Sequence, residues 1–163
     1  MDGDGQELEG VPQRTLRGRW LGWLVLTVIV LAALVGLLGP GPLSWTTATD
    51  PAGVVELEYS RFTRRLANTD LQVTITPELG STGSVQLWIS SEYLVETSVQ
   101  QVVPEPVIWA GVDGGTVLVF PLAEPAAPVT VQIQLQPNWV GPLRGAIGGA
   151  GREPIQFWQF AYP

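Results

Sequence analysis

Every positive side chain in this protein is an arginine, and three of the eight fall within five residues, in Tyr59-Ser60-Arg61-Phe62-Thr63-Arg64-Arg65. Guanidinium groups hold carboxylates and phosphates through paired hydrogen bonds, so Arg61, Arg64 and Arg65 suit an anionic lipid headgroup or a carboxylate-bearing partner. Their other use is solvation in a loop, or pairing with Glu56 and Glu58 across a strand. Those two glutamates share one strand face by their i, i+2 spacing, as a glycosidase or a cation site would require. An alternating strand produces such pairs by default, so neither they nor Glu92 and Glu96 are assigned a catalytic part. Trp139 stands among turn residues in Pro137-Asn138-Trp139-Val140-Gly141-Pro142. It is either an exposed anchor for a partner or a ring folded over a domain edge. The stretch Gly145 to Gly151, GAIGGAG, has the composition of a phosphate loop, but that motif needs a helix N-terminus behind it and strand-like sequence follows at once. It reads as a flexible hairpin loop.

The absences narrow the chemistry further. The chain has no lysine, histidine or cysteine. That removes Ser-His-Asp and Cys-His catalysis, thiol redox chemistry, the usual haem and zinc ligand sets, and disulfides. No calcium-loop spacing of acidic residues occurs. The expectation is a protein that is not an enzyme, with no catalytic residue, no cofactor and no metal ligand. Residues 43–163 hold eleven acidic groups against five arginines, which disfavours nucleic acid as a partner because a polyanion is repelled.

What must position these residues begins with Trp20 to Leu38, WLGWLVLTVIVLAALVGLL, an apolar run without an ionisable side chain. As a helix rising ~1.5 Å per residue it matches the ~30 Å hydrocarbon core of a bilayer. Arg14, Arg17 and Arg19 precede it and no basic residue follows before Arg61, which places the N-terminus inside and residues 43–163 outside. Trp20 and Trp23 at one end and Trp45 past the other suit the headgroup layer, and with the three arginines they make the membrane-interface set. The run is longer than a secretory h-region, so a retained signal-anchor is read in preference to a leader cleaved near Thr46-Thr47-Ala48. The organisation expected is a disordered cytoplasmic tail over 1–19, a transmembrane helix over 20–38, a linker over 39–53 and an extracytoplasmic domain over 54–163.

Beyond the linker, apolar and polar residues alternate. Val55, Leu57 and Tyr59 are interleaved with Glu56 and Glu58; Leu71, Val73 and Ile75 with Gln72, Thr74 and Thr76; Val129 to Leu135 with Thr130, Gln132 and Gln134. Val85, Leu87 and Ile89 repeat the pattern. Period two means strands with one dry face. Asp113-Gly114-Gly115 joins Val107–Val112 to Thr116–Leu122 as a hairpin, Ser81-Thr82-Gly83-Ser84 marks another turn, and Ile155 to Tyr162 is a last strand with apolar residues on both faces. Trp88 and Trp109 fall within strands as core or edge packing. Seven to nine strands without an amphipathic helix predict an all-β fold, an antiparallel immunoglobulin-like β-sandwich, with a small barrel as the alternative.

Gly41-Pro42-Leu43-Ser44, Tyr59-x-Arg61-Phe62-x-x-Arg65, Trp88-Ile89-Ser90-x-x-Tyr93-Leu94, Pro104-x-Pro106, Asp113-Gly114 and Gln159-Phe160-x-Tyr162-Pro163 together resemble an uncharacterised family of small bacterial single-span membrane proteins with a C-terminal β-domain. The resemblance implies a cytoplasmic-membrane location and genes that often neighbour those of YetF-like integral membrane proteins. It brings no activity with it. The function expected is non-enzymatic: a membrane-anchored sandwich that binds another membrane or envelope protein through Arg61, Arg64, Arg65 and Trp139. An extracytoplasmic glycan- or lipid-binding module is the alternative.

Overall fold

The computed structural model describes residues 14–34, 44–77, 83–122 and 127–163, and within the first helix the side chains from 19 to 31. That helix, α1, spans Arg14–Leu34. It opens within the segment expected to be a disordered tail; residues 1–13 lie outside the described residues, as do 35–38 of the expected span and the Gly39-to-Pro42 breaker. Among the described residues no helix is long and apolar enough to cross a membrane. The described side chains of α1 are all exposed.

The rest is β-structure in two sheets. Sheet one has the strand order β1-β2-β4-β9-β6, built from β1 (Trp45–Thr49), β2 (Val55–Ser60), β4 (Thr69–Ile75), β9 (Val129–Pro137) and β6 (Thr97–Val103). Sheet two has the order β3-β11-β10-β5-β8-β7, from β3 (Phe62–Arg64), β11 (Ile155–Tyr162), β10 (Gly141–Gly149), β5 (Ser84–Ser90), β8 (Gly115–Pro121) and β7 (Ile108–Val112). Pairing is antiparallel throughout except that β3 runs parallel to β11.

The alternation seen in the sequence becomes the core. Leu57, Leu71, Val73, Val131, Ile133 and Leu135 of sheet one and Leu87, Leu118, Phe120, Leu143 and Ile147 of sheet two are fully buried. Two sheets packed with their apolar faces together are the stable solution for strands that are dry on one side.

Three features depart from the expected layout. The segment taken as linker, 39–53, contains β1, which pairs with β2 from Trp45↔Ser60 to Thr49↔Glu56. It has no apolar alternation because it is an edge strand with no fully buried residue. Its turn is tied by Asp50, whose Oδ1 accepts from the N–H groups of Val54 and Val55 at 2.7 and 3.0 Å. A short helix, α2 (Ser91–Glu96), carries the chain from sheet two to sheet one, too brief for helical periodicity to show. GAIGGAG is not a hairpin loop: Gly145 to Gly149 lie within β10, and the turn follows at 150–152. The turn expected at Ser81-Thr82 lies outside the described residues, whereas the β7–β8 hairpin forms as expected.

Candidate functional site

Strands β1, β4, β6 and β10 begin, and β2, β9 and β11 end, at one pole of the sandwich, with α2 lying over it. Backbone bonds knit this pole together. The Arg61 N–H donates to Ser44 C=O at 2.7 Å, Leu66 N–H to Pro137 C=O at 2.9 Å, and Asn138 N–H to Glu96 C=O at 3.0 Å.

Inside it runs a buried polar chain that the sequence reading missed. Tyr93, from α2, donates its phenol proton to Gln159 Oε1 at 2.6 Å, and Gln159 Nε2 donates to the Ser60 carbonyl at 2.7 Å. The Ser60 hydroxyl donates to Phe62 C=O at 2.8 Å, leaving its oxygen to accept from Ser44 Oγ at 2.6 Å. Tyr93, Gln159 and Ser44 are fully buried, and among the described residues no buried polar side-chain atom lacks a partner. Burial pushes the Tyr93 phenol above its ordinary value near 10. Its ring meets Phe157 edge-on at 4.9 Å, and Phe157 in turn meets Tyr59 at 5.2 Å. The signal that was available is parity: Gln159 follows Ile155 and Phe157 at inward positions of β11.

The candidate partner-binding residues are brought to this pole but not into one cleft. Arg65 Nε donates to the carbonyl of Asn138 at 3.1 Å, which seats it beside Trp139 across 73 positions of sequence. Trp139 is 68 % exposed. Arg61 reaches Thr46 Oγ1 at 3.4 Å and lies 5.9 Å over the Trp158 ring, a cation–π distance. Arg64 projects from the short strand β3 and is exposed. Of the membrane-interface set, Trp20, Trp23 and Trp45 are all more than half exposed and Arg19 is exposed; the side chains of Arg14 and Arg17 lie outside those described.

The outer faces of the two sheets differ sharply. On sheet one the register aligns Glu56, Thr74 and Thr130 in one row and Glu58, Gln72 and Gln132 in the next, all polar. Glu56 and Glu58 stand exposed there on an open surface. On sheet two the rows are Gly148-Trp88-Val117-Ala110, then Gln86-Val119-Ile108, then Pro142-Phe160-Phe62, with Trp158 opposite Arg144 and Gln156 opposite Ala146. Ile108, Val112, Trp158 and Phe160 are 40–53 % exposed. Trp88 lies flat on Gly115, where a Cβ would come within 2.5 Å of its Nε1. An antiparallel sheet facing water ordinarily shows polar residues on that side.

Between the free edges of β6 and β7 opens a groove of about 730 Å³ lined by Val99, Gln101, Val103, Glu105, Pro106 and Trp109, among others. Trp109 is 51 % exposed there. Among the described residues, no group of three or more acidic, histidine or cysteine side chains is placed to hold a metal ion. Compared with known proteins, the chain matches no family model and no curated protein.

Proposed function

We propose that this chain is a non-enzymatic, membrane-anchored β-sandwich, immunoglobulin-like in outline and extended to more strands, which binds another membrane or envelope protein through the outer face of sheet two. The observation that carries the reading is the apolar, partly exposed outer face formed by Ile108, Val112, Trp88, Trp158 and Phe160, set against the Thr/Gln/Glu face of the other sheet. An apolar patch on a folded domain marks a surface that a partner covers, and aromatic residues with an adjacent arginine, here Trp158 under Arg61, dominate such interfaces.

Anchoring is supported by the Trp20–Leu38 run and by α1, whose described apolar side chains are all exposed; Trp20 is 78 % exposed and Ile29 50 %. The one hydroxyl in that run, Thr27, donates to Trp23 C=O at 2.8 Å and so meets its need within the helix. The N-terminus is inside and the sandwich extracytoplasmic in this reading, and a YetF-like membrane protein is the first partner to try.

A photo-crosslinking residue placed at Ile108 in the full chain, in its own membrane, is expected to give one reproducible protein adduct, and the same probe at Gln132 none. With the probe kept at 108, Val112→Glu with Trp158→Glu is expected to abolish that adduct without lowering the melting temperature. A partnerless monomer from both positions would overturn the proposal. The half-exposed Trp109 in the β6–β7 groove favours a second reading, a glycan-binding module. Envelope glycans that shift the melting temperature of the wild type but not of Trp109→Ala would select it.

A further inference from the structure

We infer that the Ser44 pole of the sandwich docks on the headgroup layer of the membrane and reads its negative charge through Arg61, Arg64 and Arg65. The inference rests on the anchoring part of the proposed function and is independent of the partner.

The first ground is tether length. Because Ser44 is buried and bonded to Ser60 and Arg61, the folded domain begins there and not at residue 54. Six residue steps separate it from Leu38, the end of the apolar run, so the pole is held within about 20 Å of the hydrocarbon edge. The second ground is what the pole displays. Trp45, Leu66 and Trp139 are 53, 57 and 68 % exposed, and tryptophan at a lipid–water boundary has an apolar body for one side and an N–H for the other. The third is charge. The domain is acidic, yet three of its five arginines sit on the β2–β3 segment and its end, which bonds to Ser44; of the acidic groups at this end Asp70 lines the same hollow as Arg64, while Glu92, Glu96 and Asp113 lie on the α2 side. The fourth is backbone strain. Leu66 sits at φ 59°, a left-handed conformation that a leucine rarely adopts, held by bonds from its N–H to Pro137 C=O and from Gln136 Nε2 to its own C=O. Strain of this kind persists where a site requires it, and here it leaves a leucine facing outward.

The test uses the full chain, which has no native cysteine, reconstituted in vesicles. An environment-sensitive fluorophore is attached at Trp139→Cys, Leu66→Cys or, at the far pole, Ala52→Cys. In phosphatidylcholine vesicles containing phosphatidylglycerol, the probes at 139 and 66 are expected to be quenched by bromolipid and the probe at 52 not. The docked-to-undocked ratio is expected to fall roughly fivefold for each arginine changed to glutamine, the equivalent of ~1 kcal/mol per basic group near an anionic surface. High salt should act in the same direction. If the three probes are equally wet while the chain resists carbonate extraction, the pole assignment falls and the anchor stands. Release by carbonate would overturn both. Shielding of 139 in native membranes but not in protein-free vesicles would overturn the lipid assignment in favour of a protein surface.

Discussion

Gln159 occupies a position of β11 where parity calls for hydrocarbon, and the fold meets its amide with one donor and one acceptor. A buried polar group with its partners in place contributes modestly, but one deprived of a partner costs about 1–3 kcal/mol. Tyr93→Phe and Gln159→Leu are therefore each expected to lower the melting temperature by several degrees. The double variant should lose less than the sum, since only the Ser60 carbonyl is then left short; strict additivity in thermal melts would refute the coupling. The same phenol gives the fold an alkaline limit. The unfolded chain releases this proton near pH 10, whereas burial keeps it on the native protein to higher pH. Above about pH 10 the native state thus binds more protons than the unfolded one, and stability falls as pH rises. The stabilisation is complete below that pH. Tyr93→Phe should flatten this fall in denaturant titrations between about pH 8 and about pH 11; parallel curves for the two proteins would mean that the phenol titrates freely.

At the scale of elements, β10 shows what a glycine-rich stretch does when it is not a loop. A Cβ at Gly145 would lie 2.7 Å from Phe157 Cζ and 2.9 Å from Tyr93 Cγ, so the missing side chain is the space those rings occupy. Gly145→Ala is expected to cost about 1–3 kcal/mol through overpacking. At Gly111 a Cβ would meet open space, and its alanine variant should stay within about 0.5 kcal/mol of wild type in the same melts. Composition alone could not separate a backbone kept bare for a neighbouring ring from one kept bare for a turn. Period two revealed β2, β4, β5 and β9 because each buries alternate residues, and Asp113-Gly114 revealed the β7–β8 hairpin. It could not reveal β1 or β3, short strands at sheet edges, nor α2, which has fewer than two turns. The arginine cluster and Trp139 were each legible in the sequence, but their meeting at Asn138, and the Tyr93–Gln159–Ser60 chain, depend on contacts between distant segments.

On the whole-molecule scale the unequal outer faces matter most, and only the polar one is visible strand by strand. The apolar one is assembled from one or two residues on each strand of sheet two, among them Phe62, Phe160, Trp88, Val117 and Ile108. Because these side chains already face outward, Ile108→Lys with Val112→Lys should leave the melting temperature nearly unchanged and reduce light scattering by the unpartnered protein. Val131→Lys, at a fully buried position, should prevent folding. A fall in stability of several kcal/mol from the outer pair would mean that those residues belong to the core.

The early start of β1 has a mechanical corollary. Any pull on the N-terminal segment enters the domain at Ser44 and runs lengthwise down β1, so the β1–β2 ladder from Trp45↔Ser60 to Thr49↔Glu56 is loaded in shear, with its rungs sharing the force instead of parting one after another. A grip built that way resists a tug on that segment far better than the same five residues would if peeled from the side.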